Sequence, residues 1–188
     1  MPSSRSVLVI GVGNAVRGDD AAGLEVARRL ADLDRESGIE VRAHEGDGVG
    51  LLELWDGAEA IVLVDSACSG AVPGTIHRID ASSARVPVPL RPASTHALGV
   101  AEAIELARAM ETLPSTVIVY GLEGSLYETG SSLSEHVAPA IDLAADAVRR
   151  EALGLLSGHS ASRSRSRGSR SALCSARGSG RTAADQRE

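Results

Sequence analysis

The chain has 188 residues, a formal net charge of -6, 43% hydrophobic residues, only 2% aromatics and no Phe. That length suits one domain with a sizeable core, built here from Val, Leu, Ile and Ala. The acidic balance excludes general nucleic-acid binding, because phosphates would be repelled, and no segment approaches the ~20 apolar residues that span a membrane.

Val7-Leu8-Val9-Ile10 is a short β-branched run that reads as a strand covered on both faces. Gly11, Gly13 and Gly18 then mark a tight turn, and Leu24, Ala27, Leu30 and Leu33 recur at near-helical spacing up to Gly38. A dinucleotide-binding turn is the obvious candidate, and its chemistry is wrong. Position 16 is Val where the third glycine belongs. Asp19 and Asp20 stand where a helix N-terminus would receive a pyrophosphate, and two carboxylates repel a dianion and attract a cation. One of the two acids is expected to cap the helix.

A second strand is expected over Ile39 to Ala43, followed by the glycine-rich turn His44-Glu45-Gly46-Asp47-Gly48-Val49-Gly50 and a short helix through Leu51 to Trp55. Ala60 to Asp65 is another buried strand with a carboxylate at its carboxyl end. Thr75 to Ile79 alternates polar and apolar residues, as an antiparallel edge strand would, with His77 facing solvent. The three prolines between Arg85 and Pro92 make a loop leading to Ser94-Thr95-His96, and a helix is expected from Ala97 to Met110. Thr116 to Tyr120 is the last strand, Gly121 to Gly124 its exit turn, and Ser134 to Leu156 the final amphipathic helix. The alternation predicts a three-layer αβα sandwich around a mostly parallel five-stranded twisted sheet with one antiparallel edge strand.

From Ser157 onward Ser, Arg, Gly and Ala dominate, with seven Arg against Asp185 and Glu188. Little there can be buried, so residues 157–188 are expected to be a disordered Arg/Ser-rich tail behind a domain at 1–156. Two cysteines, Cys68 and Cys174, cannot form a disulfide framework and suit a reducing compartment. The apolar run after Arg5 is too short for a signal peptide, so a cytoplasmic protein is expected.

In open α/β sheets ligands bind beyond the carboxyl ends of the strands. Asp20, Asp65 and His96 fall in loops that meet there, and two carboxylates with an imidazole suit a divalent transition metal while leaving coordination positions open. Each has a plainer reading. Asp65 could satisfy backbone donors at its strand end, and His96 could neighbour a cap at Ser94 or Thr95. His44, His136 and His159 carry weaker signals, Cys68 reads as a small buried residue, and no Gly-x-Ser-x-Gly elbow occurs.

Several motifs, in order, resemble the hydrogenase maturation endopeptidases. They are the opening Gly11-x-Gly13-Asn14 with Arg17-Gly18-Asp19-Asp20, the turn Gly46-x-Gly48-x-Gly50-Leu51-Leu52, the strand Val62-Leu63-Val64-Asp65-Ser66-Ala67, the element Ser94-Thr95-His96-Ala97-Leu98-Gly99, and Gly121-Leu122-Glu123 through Gly130 to Leu133-Ser134. The likeness spans residues from about 6 to 155 and omits the tail, and Ala21 replaces a glycine frequent in the family. It implies hydrolysis of one peptide bond, removing the C-terminal extension of a nickel–iron hydrogenase large-subunit precursor after nickel insertion. It places the family's metal ligands on Asp20, Asp65 and His96, with nickel supplied by the substrate. No nucleic acid or membrane partner is implied, and a monomer is expected. A metal-dependent hydrolase of small amides or peptides, and a non-catalytic metal-binding protein, are the alternatives.

Overall fold

The structure is a computed structural model, and it describes residues 7–31, 39–45, 48–86 and 99–174, with side chains as far as position 158. By its contacts the chain divides into two units, Met1–Leu156 and Ser157–Glu188.

Five strands form one sheet: β1 (Val7–Val12), β2 (Glu40–His44), β3 (Ala60–Ala67), β4 (Ile76–Asp80) and β5 (Thr116–Glu123), in the spatial order β2-β1-β3-β5-β4. All neighbours are parallel except β4, which pairs antiparallel with β5 at the edge. The helices are α1 (Ala22–Arg29), α2 (Gly48–Leu54), α3 (Val100–Ala109) and α4 (Ala138–Cys174), and a 3-10 turn at Gly18–Ala21 precedes α1.

Every residue of β1 and β3 is buried. Their side chains alternate between two cores, as a strand with helices on both faces requires. Val7, Val9, Val62 and Val64 join Ala22, Val26 and Leu30 of α1 and Ile141, Ala144 and Val148 of α4. On the opposite face Leu8, Ile10, Ile61 and Leu63 meet Leu51 of α2, Trp55 just beyond it, and Ala103, Ile104 and Ala107 of α3. The expected three-layer sandwich is therefore present, with helices on both faces of a mostly parallel sheet.

Glycine brings α1 directly onto the sheet. A Cβ at Gly23 would lie 2.2 Å from the Val12 carbonyl oxygen and 2.3 Å from that of Val64, so only a residue without one lets the helix sit across β1 and β3. This close approach sets the amino end of α1, with Asp19 and Asp20 just before it, over the carboxyl ends of the two central strands. On the same face of the sheet, α4 is fastened to the edge strand by Arg78, whose Nε and Nη2 donate to the two Glu151 oxygens at 2.6 and 2.9 Å. Tyr120 donates to the same carboxylate at 3.0 Å.

Four boundaries differ from expectation. β3 continues through Asp65 to Ala67, and β5 continues through the expected exit turn to Glu123, because their ladder persists from Ala60↔Thr116 to Ala67↔Glu123. The polar residues that look like strand ends are thus inside strands. The last helix begins at Ala138 rather than Ser134, and Ser134 instead accepts the Val137 and Ala138 N–H groups on its carbonyl oxygen. That helix also runs past Leu156 to Cys174. A helix needs only local hydrogen bonds and tolerant side chains such as Ala, Arg and Leu. Residues 175–188 lie outside the described residues.

Candidate functional site at the carboxyl ends of the strands

The buried polar and charged side chains among the described residues are Asp19, Asp20, Asp65, Ser66 and Glu123, and all belong to one end of the sheet. A carboxylate is costly to bury unless it is paired or hydrogen-bonded, so each one's partners identify its role.

Asp19 is wholly buried and receives backbone N–H groups from a distant loop: Ser125 at 2.8 Å and Leu126 at 3.0 Å on Oδ2, and Ser134 at 2.7 Å on Oδ1. Burial alone would raise its pKa, but these donors outweigh it and hold the carboxyl below its ordinary value. The expected helix cap is not what is found, since neither the 3-10 turn nor α1 has a side-chain cap. Asp19 instead fastens the loop between β5 and α4 onto the turn after β1. The backbone adds to that seam: Asp19 N–H donates to Leu126 O at 2.7 Å and Gly18 N–H to Ser131 O at 3.1 Å. Gly18, at φ +57, makes room for it, because a Cβ there would lie 2.4 Å from Leu126 O.

Asp20 faces the other way, toward β3. Its Oδ1 accepts the Ser66 hydroxyl at 3.1 Å, and its Oδ2 faces Arg17 Nη1 at 3.4 Å. Arg17 Nη2 also donates to the Tyr127 carbonyl at 3.2 Å. Asp65 is buried beside this group, with one oxygen accepting the Ser66 N–H at 2.8 Å. Burial pushes the Asp65 carboxyl well above the usual range, the Ser66 N–H opposes that, and the negative charge of Asp20 adds to it. The two acids are therefore electrostatic neighbours, and a cation between them would relieve a cost the fold otherwise carries.

Glu123 supports the opposite rim. It accepts N–H groups from Ser69 at 2.7 Å, Gly70 at 2.7 Å and Ala71 at 3.1 Å, the Ser69 hydroxyl at 2.8 Å, and lies 3.2 Å from His77 Nε2. Burial would raise its pKa, but the Ser69, Gly70 and His77 hydrogen bonds hold it below its ordinary value. His77 is thus turned toward Glu123 and not out to solvent, and Cys68, expected to be buried, is exposed immediately after β3. Tyr127 completes the frame: its hydroxyl donates to Ala67 O at 2.7 Å, joining the β5–α4 loop to the end of β3.

Of the three expected ligands, Asp20 and Asp65 come together, and His96 lies outside the described residues. Among the described residues no three His, Cys, Asp or Glu side chains gather in a manner that could hold a metal ion. The donor pair nonetheless has the chemistry to suit a divalent ion, with two buried carboxylates, one in the 3-10 turn after β1 and one in β3, in mutual repulsion. The sequence reading gave no role to Arg17, Ser66 or Tyr127, and quoted Glu123 only as part of a motif. For Arg17 a signal was available, since it precedes Asp20 by three residues in a turn that brings such pairs face to face.

The fold and site together define an open α/β domain with a cluster of buried carboxylates at the carboxyl ends of its central strands. A model of the hydrogenase maturation protease family matches residues 46–151. The hydrogenase expression/formation protein HupD of Rhodobacter capsulatus is 31% identical over 147 residues, covering 76% of this chain and 70% of that protein. Among solved structures, the hydrogenase maturating endopeptidase HybD of E. coli superimposes with a TM-score of 0.62 at 23% identity, over 76% of this chain and 89% of its own. The [NiFe] hydrogenase maturation protease HycI of Thermococcus kodakarensis KOD1 does so with 0.59 at 23%, over 81% and 95%. The chain belongs to the hydrogenase maturation protease family, and is an endopeptidase, a hydrolase of peptide bonds.

Proposed function

We propose that this endopeptidase removes the C-terminal extension of a nickel–iron hydrogenase large-subunit precursor once nickel has been inserted. In this reading it recognises the substrate's nickel through Asp20, Asp65 and His96. The observation that carries it is the Asp20–Asp65 pair. Two carboxylates, one from the 3-10 turn after β1 and one from β3, are buried at the sheet's carboxyl end, and the charge of Asp20 raises the pKa of Asp65. A fold tolerates such a pair where a cation is to be received.

The pair has the chemistry of a receiver rather than a store. It contains no thiolate, and both oxygens of Asp20 already face protein donors. Affinity for a free ion is therefore modest, and selectivity comes from geometry and from how the ion is presented. Burial and the charge of Asp20 disfavour the ionised form of Asp65, and a cation beside the pair would favour it. The surrounding frame, made by Asp19, Glu123 and Tyr127, fixes the loops around the pair.

Purified precursor incubated with wild type, Asp20→Asn, Asp65→Asn and His96→Ala tests the assignment. Processing by the wild type and its loss in all three variants, each still folded by circular dichroism, supports the reading. Undiminished processing by either carboxylate variant refutes it.

A further inference from the structure

Arg17 has a place in this site that the family's ligand set does not provide. Its guanidinium is held from two sides. Nη1 lies against Asp20 Oδ2 at 3.4 Å, and Nη2 donates to the Tyr127 carbonyl at 3.2 Å. The second anchor is itself immobilised, because Asp19 binds the N–H groups of Ser125, Leu126 and Ser134, and the Tyr127 hydroxyl is bonded to Ala67 O. The Arg17 side chain is only 17% exposed, so the pair is poorly screened by water. At 3.4 Å the contact with Asp20 is at the long end of an ion pair, while the Tyr127 bond does not involve Asp20 at all. The guanidinium can thus leave the carboxylate without leaving the loop.

We propose that Arg17 is a resident counter-cation that occupies Asp20 in the free enzyme and excludes free divalent ions from the site, so that only an ion presented by the substrate protein displaces it. The inference rests on the reading of Asp20 as a nickel-facing residue, and it concerns specificity. A free ion must remove a guanidinium from Asp20 and then sit close to it. An ion seated in a precursor brings the contact energy of a whole protein surface, which offsets that displacement. Arg17 thereby enlarges the difference in affinity between loaded precursor and bare metal. Lys would serve less well, since one compact ammonium cannot face Asp20 and the Tyr127 carbonyl with separate, rigidly spaced donors.

The test is calorimetric titration of Ni2+ into metal-free, full-length wild type, Arg17→Gln, Arg17→Met and Arg17→Gln/Asp20→Asn, with thermal unfolding as a check on folding. Arg17→Gln should bind Ni2+ about tenfold more tightly than wild type, since a unit charge roughly 6 Å from a dication is worth about that factor even in the dielectric of bulk water. The double variant should lose the gain. Arg17→Met keeps the apolar stem and stands in if the Gln variant fails to fold. Equal or weaker Ni2+ binding by the folded Arg17 variants would overturn the proposal while leaving Asp20 as a nickel-facing residue. Absence of Ni2+ binding in every protein would likewise overturn the proposal, whereas the reading of Asp20 falls only if Asp20→Asn still processes the loaded precursor. As a second measurement on the unaltered chain, the Arg17 Nε–H resonance should shift on titration with diamagnetic Zn2+, and a resonance that stays fixed at saturation contradicts displacement.

Discussion

Replacing Asp19 by Asn isolates the carboxylate that shapes the site from the one that faces the substrate. The wild-type side chain uses both oxygens, one for Ser125 and Leu126 and the other for Ser134. Asn offers one carbonyl oxygen, so whichever way the amide turns, its NH2 group confronts at least one backbone N–H that has no other acceptor supplied by the carboxylate. A hydrogen bond to a charged group contributes about 1.5–3 kcal/mol, and a buried donor left unpaired costs about 1–3 kcal/mol. Losing one such bond and orphaning its donor therefore removes about 3 kcal/mol, with the other contacts weakened but kept. For a chain of this size each kcal/mol moves the melting temperature by about 2–4 °C, so Asp19→Asn should melt about 6–12 °C lower. Urea unfolding monitored at Trp55 measures the free energy directly. Processing of precursor should fall together with the folded fraction and recover at low temperature. A destabilisation under about 1 kcal/mol, or a fully stable variant without activity, would refute the staple and give Asp19 a direct part in the chemistry.

Asp19 and Glu123 both have pKa values held below the ordinary carboxylate range, so the stability they contribute is present above about pH 4 and is lost as pH falls through their folded values. Acid unfolding followed by circular dichroism should therefore be shallower in Glu123→Gln than in wild type, and an unchanged acid limb would contradict the rim contacts. Asp65 has the opposite sign: its raised pKa makes stability fall as pH rises from the ordinary carboxylate value through the folded one, so Asp65→Asn should be at least as stable as wild type at pH 8 while losing processing. A marked loss of stability at pH 8 would show that the ionised carboxylate is a structural group. Asp20→Asn should lose processing at a cost of about 1 kcal/mol, because its contact with Arg17 is long at 3.4 Å and the amide oxygen can still accept the Ser66 hydroxyl. Truncation after Leu156 should leave melting temperature and activity nearly unchanged, because the core residues of both faces lie within 7–156, and a loss of several degrees would show that the later segment contributes to the fold.

The sheet was legible because its central strands are unbroken apolar runs rich in Val and Ile. Val7–Ile10 and Ala60–Val64 can be little else in a chain with helical patterns between them, and the antiparallel edge at Ile76–Asp80 followed from its alternation. The ends of β3 and β5 were not legible. Asp65, Ser66 and Glu123 read as the polar close of a strand, because burial of a carboxylate depends on donors that lie far away in sequence. The same limit explains Asp19. A local rule assigns an acid at this place to the helix that follows, whereas its donors come from positions 125, 126 and 134. His77 faces outward by strict alternation, yet its cross-strand neighbour is Gly121, which has no side chain to block a turn toward Glu123. What the motif order conveyed was the convergence of Asp20 and Asp65. What it could not convey was that Ser66 and Arg17 already hold Asp20.

Whether Asp20 and Asp65 read nickel in the substrate is tested most directly with precursor of defined metal content. Full-length enzyme, purified without chelator and analysed for metal, should be incubated with nickel-loaded and nickel-free forms of the same large-subunit precursor, and the C-terminal peptide quantified by mass spectrometry. Cleavage confined to the loaded precursor, by enzyme that carries no stoichiometric metal of its own, is the predicted result. Equal cleavage of both precursors by enzyme holding a tightly bound ion would contradict it.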